Sequence, residues 1–333
     1  MTVVVTVPGL RLRPYAGEPD LEAMVRIVNA EYEADEISER DTVDGMRAHL
    51  GSPSEQFDPA RDVGVAELDG RVVAWTSREW VDTREGDLRE YRVWGAVDPS
   101  YRRRGIGTAL LADNERRARA QAAAQDVHRT TVFGAWAADG RPGAMLLERS
   151  GYSVARWFFD MVRPTLHDLT EVGLPRDFEL RPVTPEQYPA IWRANREAFR
   201  DHWGGSDESE AAMHRYLDAP DADASLWLIA FAGEEIAGGV INSIHPDENA
   251  ALNIRRGWLD SVFTRRAWRQ RGLARALIAR SLRVLRDRGM TSAALGVDAD
   301  NPSGALGLYQ SAGFEIDDRF TAWRKPMEGG PST

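Results

Sequence analysis

Arg269-Gln270-Arg271-Gly272-Leu273-Ala274 is the stretch on which the fold turns. It follows an apolar run, Trp258 to Thr264. It opens a segment, Gly272 to Asp287, in which Leu273, Ala276, Leu277, Ser281, Val284 and Leu285 recur at helical spacing. A strand, a glycine loop and a helix in that order suit an anion. Glycine lets the backbone come close, the helix opens with unpaired amides and the positive end of its dipole, and arginines add charge-assisted bonds. An exposed dipole alone is worth only ~0.3–1 kcal/mol, so several amides must act together. The loop is not a Walker loop, because no Gly-Lys-Ser/Thr occurs in it, and it lacks the three-glycine spacing of a dinucleotide fingerprint.

The loop occurs twice. Arg102-Arg103-Arg104-Gly105-Ile106-Gly107 precedes it by about 165 residues, and other landmarks repeat in the same order. Arg11-Leu12-Arg13-Pro14 echoes Glu179-Leu180-Arg181-Pro182, and Ser150-Gly151-Tyr152 echoes Ala312-Gly313-Phe314. A period this long marks a duplicated domain rather than a solenoid. Each half reads as strand, helical region, hairpin, strand, glycine loop, helix, strand, helix, strand. In the first half the strands are expected at Leu10–Arg13, Val63–Leu68, Arg71–Arg78, Tyr91–Val97, Thr130–Phe133 and Arg156–Val162, with Asp69-Gly70 as the hairpin turn. In the second they are expected at Leu226–Phe231, Ile236–Ile244, Trp258–Thr264, Ala293–Val297 and Phe320–Arg324, with helices at Gly272–Asp287 and Pro302–Ser311. The reading is a mixed-sheet α/β (α+β) chain of two modules, residues 1–163 and 179–327, joined by a Pro- and Gly-bearing linker at 164–178.

A chain of 333 residues suits two domains, and 43% hydrophobic with 28% charged residues suits globular rather than disordered structure. The net charge of −10 argues against a nucleic-acid partner. No run of ~18 apolar residues predicts a membrane span, and Met1–Val5 lacks the basic flank of a signal peptide, so a cytoplasmic protein is expected. With no cysteine, disulfides, thiolate metal sites and cysteine nucleophiles are excluded, and the six scattered histidines give no metal-ligand spacing.

In the second half, Asn301-Pro302-Ser303-Gly304-Ala305, then Tyr309 and Gly313-Phe314, follow the loop. With these residues the chain resembles the GNAT acyltransferases, as two tandem modules covering nearly the whole sequence, in an arrangement similar to the mycothiol-synthase-like tandem acetyltransferases. The resemblance implies acetyl-CoA as co-substrate, no metal, and transfer of an acetyl group to a primary amine of a small molecule. Catalysis is expected in the C-terminal module of a monomer or homodimer. Val262, Phe263 and Thr264 would grip the pantetheine arm. Arg269, Gln270, Arg271, Gly272, Leu273 and Ala274 would hold the pyrophosphate, and Asn301 and Ser303 would add contacts. Tyr309 would protonate the departing thiolate. The family's usual base position falls on Trp258, which cannot accept a proton. Asp260, two residues on, is the candidate base, with water, His245, Glu234 or no dedicated base as alternatives. His202, Trp203 and Asp207, in the segment Trp192–Leu217, are candidates for the acceptor side.

In the first half, Ala96, Val97, Arg102, Arg103, Arg104, Gly105, Ile106 and Gly107 match the carrier-binding positions. Leu147 stands where the second half has Tyr309, Asp139 where it has Asn301, and Tyr91 at the base position. A leucine donates no proton, so this module is expected to be catalytically degenerate, a scaffold or a second carrier site. An acyl-CoA sensor, or an acetyltransferase acting on protein lysines or N-termini, is the alternative for the whole chain.

Overall fold

The computed structural model describes residues 7–51, 53–83, 87–205, 209–217, 222–300 and 304–327. The first repeat runs β1 (Leu10–Pro14), α1 (Glu18–Ala34), α2 (Val43–Leu50), α3 (Pro59–Asp62), β2 (Val63–Leu68), β3 (Arg71–Asp82), β4 (Leu88–Val97), α4 (Ile106–Ala124), β5 (Thr130–Ala138), α5 (Pro142–Arg149) and β6 (Ser153–Arg163). The second runs β7 (Glu179–Arg181), α6 (Tyr188–Ala198), α7 (Glu210–Leu217), β8 (Leu228–Ala232), β9 (Glu235–Ile244), α8 (Pro246–Leu252), β10 (Arg256–Thr264), α9 (Leu273–Asp287), β11 (Ser292–Asp298), α10 (Ala305–Ser311) and β12 (Glu315–Pro326). The helical region expected after β1 is two helices, because Thr42 caps a new start by accepting from the Gly45 amide. Helix α8 was not foreseen.

The compact units interleave the two repeats. One consists of Met1–Trp157, Trp203–Pro220 and Phe320–Thr333, the other of Phe158–His202 and Asp221–Arg319. The first unit's strands lie in the order β1-β2-β3-β4-β5-β12. Residues Phe320–Pro326 of β12 pair antiparallel with β5, so the second repeat's last strand completes the first unit. The second unit's order is β6-β11-β10-β9-β8-β7, and here Phe158–Arg163 of β6 pair antiparallel with β11. The stretch 164–178 is packed in the second unit: Leu166 and Phe178 are buried in its core, and the Leu166 amide donates to Thr291 O at 3.0 Å.

Each unit has one parallel pair in an otherwise antiparallel sheet. In the first it is β4–β5, paired from Leu88–Thr130 to Val93–Ala135; in the second it is β10–β11, paired only from Arg256–Ser292 to Trp258–Ala294. Beyond those points the two strands no longer share hydrogen bonds. The following helix starts beside that gap, pinned by its apolar face. In the second unit, Leu273, Leu277 and Leu285 of α9 pack with Leu259 and Leu295. In the first unit, Leu111 and Ala118 of α4 pack with Tyr91 and Phe133. Each fully buried Leu or Phe contributes ~1.5–3 kcal/mol before the entropy of ordering is subtracted.

Candidate active site

Both glycine loops fold alike. Gly272, at φ +78°, is the left-handed N-cap of α9, and Gln270 two residues earlier has φ +62°. Gly105 caps α4 at φ +86°, after Arg103 at φ +64°. Alternating backbone of this kind turns successive amides inward as an anion-binding nest. Neither N-cap makes a side-chain hydrogen bond, which leaves the first-turn amides outward. The side chains of Leu273 and Ile106 are buried, so these residues would serve an anion through the backbone alone.

In the second unit the open edge of β10 leads to this nest. The Arg265 amide donates to Ala237 O on β9, and alternation along the strand aims Val262 and Thr264 into the gap and Phe263 at β9. The backbone of Phe263 is therefore turned away from the place expected for pantetheine. The Thr264 hydroxyl is buried without a hydrogen-bond partner, and a pantetheine amide would satisfy it. Arg269 donates to the carbonyls of Thr264 (3.2 Å) and Ala198 (2.9 Å), and Arg271 lies exposed, 3.9 Å from Asp177. These groups fit a diphosphate followed by an amide-bearing arm. Asn301, Ser303 and Asp207 lie outside the described residues.

Tyr309, on α10, is buried edge-on to Phe314, with ring centres 6.1 Å apart. Burial pushes its phenol up to about 12. The group thus stays protonated at neutral pH, which suits a proton donor and not a nucleophile.

Asp260 is the extra residue of a β-bulge: Leu259 pairs with Asn242 and Ser261 with Ile241, leaving Asp260 unmatched and exposed. Its Oδ1 accepts from Ser243 Oγ at 3.0 Å, and that oxygen is also 3.0 Å from His245 Nε2. The structure thus joins two of the base candidates, Asp260 and His245, through Ser243, a residue that sequence reasoning missed. The register that places Ser243 opposite Trp258 brings them together. Trp258 itself donates from Nε1 to Glu248 at 3.2 Å. Glu234, another base candidate, sits at an exposed turn, 3.1 Å from Arg181.

The first unit has a cleft of about 710 Å³ at its own loop, lined among others by Glu31, Trp94, Val97, Gly105, Trp136 and Leu147. Its donors are engaged internally. The Val97 amide donates to Glu31 Oε2 at 3.0 Å, and Arg102 grips Asp35 with two bonds of 2.6 and 2.9 Å and lies 3.5 Å from Glu31. Burial raises the Glu31 carboxyl above its usual range, a shift that the Val97 amide and Arg102 only partly offset. Strand β4 pairs with β3 without a bulge from Ala74–Val97 to Asp82–Arg89. Tyr91 is buried and donates to Gln125. Glu31 and Asp35 carried no sequence signal, because a carboxylate on an amphipathic helix reads as solvated surface.

Of the acceptor-side candidates, His202 stays in the second unit, tilted against Phe199 with ring centres 4.3 Å apart. Trp203 belongs to the first unit. It packs edge-on to Trp136 at 6.4 Å and beneath the Arg324 guanidinium at 4.2 Å, while the next turn's Gly205 O accepts from Arg92. Among the described residues, no helix is long and apolar enough to cross a membrane, and no three His, Asp or Glu side chains converge as a metal site.

Known proteins are similar to this chain. Residues 188–314 match the acetyltransferase (GNAT) family model, and residues 59–154 match an acetyltransferase (GNAT) domain model. A mycothiol acetyltransferase of Salinispora arenicola is 31% identical over 264 residues, covering 77% of this chain and 78% of that protein. The mycothiol acetyltransferase of Renibacterium salmoninarum is 29% identical over 237 residues, covering 69% of this chain and 66% of that protein's length. A solved tandem GNAT protein from the clavulanic acid biosynthesis pathway superposes with a TM-score of 0.69 at 20% identity, over 97% of this chain and 100% of that one, which shows the shared fold. The chain belongs to the GNAT acetyltransferase family, as a tandem member distantly related to the mycothiol acetyltransferases, and that membership implies acetyl-CoA as co-substrate.

Proposed function

We propose that the second unit moves an acetyl group from acetyl-CoA to the primary amine of a small molecule by direct transfer, and that the first unit does no chemistry. The observation that carries this is the contrast between the two loops: the same nest adjoins a strand edge with an unsatisfied Thr264 hydroxyl in one unit and a Val97 amide already bonded to Glu31 in the other. Acetyl-CoA supplies an activated thioester. The amides of the Gly272 loop hold its diphosphate, with Arg269 and Arg271 alongside. Val262 and Thr264 align the arm along β10, and an amide aimed at the thioester oxygen stabilises developing charge by ~2.7–4 kcal/mol. Tyr309 donates its proton to the leaving sulfur. Leu147 cannot do so in the first unit, and Trp203 backs Trp136 beside that cleft.

The test is a thiol-release assay with acetyl-CoA against a panel of amines, together with calorimetric titration of acetyl-CoA. The relatives' name puts the mycothiol system first in the panel. Amine-dependent thiol release with tight carrier binding is expected. Absence of acetyl-CoA binding sinks the proposal, and binding without turnover on any amine turns it towards a sensor.

A further inference from the structure

We propose that Asp260, Ser243 and His245 form a proton relay that carries the acceptor amine's proton out of the cleft and onto the imidazole; this rests on acetyl transfer in the second unit. The three groups span the range from exposed carboxylate to half-buried ring. Asp260 is exposed on the bulge, Ser243 is buried beneath it, and His245 lies half-buried at the cap of α8, edge-on to Trp258. Both links measure 3.0 Å. Without the bulge, Asp260 would keep the strand's simple alternation; with it, its carboxylate meets the Ser243 hydroxyl on the neighbouring strand.

The chemistry explains why a chain is needed. A carboxylate near its ordinary pKa is a weak base towards an ammonium group, whereas an imidazole titrates about 2.5 units higher. With its Nδ1 protonated, neutral His245 presents a lone pair at Nε2. The ammonium N–H bond breaks and an O–H bond forms on Asp260. Once protonated, Asp260 donates instead of accepting, so the Ser243 hydroxyl turns from it to the Nε2 lone pair; the Asp260 proton then passes to Ser243 Oγ as the serine's own proton passes to His245 Nε2. Asp260 is again a carboxylate, Ser243 again a hydroxyl, His245 an imidazolium, and the amine has its lone pair free for the thioester. The charged groups of the adjoining elements are Asp247 and Glu248 in the first turn of α8 and Arg256 on β10, whose guanidinium lies 6.0 Å from the Trp258 ring. Asp260 and Ser243 touch the reacting proton before His245 does, so Ser243 and His245 are judged by pH dependence as well as by rate.

The experiment is a pH–rate profile of acetyl-CoA thiol release with the amine that turns over, beside a histidine NMR titration. In the unmodified enzyme, a limb that rises with pH as the imidazole loses its proton is expected in kcat/KM. Ser243→Ala and His245→Gln each lose that limb and slow turnover about ten- to a hundredfold at pH 7.5, with the KM for acetyl-CoA unchanged. Ser243→Thr, which keeps a hydroxyl, restores it. In the NMR arm, His245 is assigned by its loss in His245→Gln. Asp260→Asn lowers its pKa by about one unit, and so does Ser243→Ala, which changes no charge. A limb that survives both Ser243→Ala and His245→Gln overturns the relay. If no amine is acetylated, the proposed function falls separately and the NMR arm decides: a His245 pKa indifferent to Ser243→Ala overturns the relay.

Discussion

The two clefts share a loop and differ in what the surrounding residues have done to it. Both have a left-handed glycine N-cap and a preceding residue at positive φ. In the first unit, α1 sends Glu31 to the Val97 amide and Asp35 to Arg102. In the second, the matching residues are Thr264, whose hydroxyl is unsatisfied, and Arg269, which bonds backbone carbonyls. The first cleft has Leu147 where the second has Tyr309, and Val93 in regular pairing where the second has the bulged Asp260. The lesson is that a glycine loop specifies a backbone shape. Whether that shape serves a ligand depends on helices and strands distant in sequence.

The sharpest way to break the comparison is at the tyrosine. Tyr309→Phe is expected to lower turnover about a hundredfold or more in the thiol-release assay, with acetyl-CoA affinity nearly unchanged. Leu147→Tyr in the first unit is expected to change turnover not at all. Undiminished turnover in the first variant removes the acid role; abolished turnover in the second, with the second unit folded, removes the idea of a silent first unit. Next comes the pair of N-caps. Gly272→Val and Gly105→Val force the same left-handed strain, ~1–2 kcal/mol or more for a β-branched residue. Gly272→Val is expected to raise the KM for acetyl-CoA about tenfold. Gly105→Val should lower only the melting temperature, and equal kinetic losses would show that both loops serve catalysis.

Much of this was legible in the sequence, for local reasons. Gly105 and Gly272 announce a turn only glycine takes easily, and the Leu273 to Leu285 periodicity announces the helix behind it. The exchange of β6 and β12 between units was not legible, because nothing local in Phe158–Arg163 or Phe320–Pro326 says which sheet each strand joins. The Ser243–Asp260 contact was hidden because a bulge shifts the register by one residue, and nothing in Leu259-Asp260-Ser261 marks where the extra residue falls. That the chain passes from one unit to the other between His202 and Trp203 was not legible either, since no local property of Trp203-Gly204-Gly205 says so.

A smaller effect tests whether carboxylates occupy the donors that a ligand of the first cleft would need. Glu31→Gln keeps the side chain's size, weakens its hold on the Val97 amide and leaves Arg102 with one carboxylate partner fewer. Calorimetry should then show a first-unit acetyl-CoA site appearing or tightening about tenfold, the size of one charge-assisted hydrogen bond. Because burial raises the Glu31 carboxyl, lowering the pH should move the unmodified protein in the same direction. An unchanged titration in Glu31→Gln would mean that the carboxylates are not what limits binding there.

The smallest expected effect lies where the exchanged strands meet each sheet. In the first unit, Arg324 on β12 stands opposite Gly134 and pairs with buried Glu90 at 3.1 Å. In the second, Asp160 on β6 stands opposite Gly296, with Asp317 and Asp318 near it and Arg256 as its attractive charge. Burial, reinforced by the two aspartates and only eased by Arg256, pushes the Asp160 carboxyl up to about 6. The folded state therefore binds this proton more tightly than the unfolded chain, whose aspartates titrate near ~3.9. Stability from this group is full below about pH 4, falls as the pH rises towards 6 and is flat above it. Asp160→Asn removes the falling segment. At pH 7.5 it should stabilise the protein by on the order of 1 kcal/mol, a rise of ~2–4 °C in melting temperature, and at pH 4.5 by much less. Denaturant unfolding at the two pH values measures this. A loss of stability at pH 7.5 would mean that the ionised carboxylate is held by partners strong enough to outweigh its burial, as Glu90 is held by Arg324.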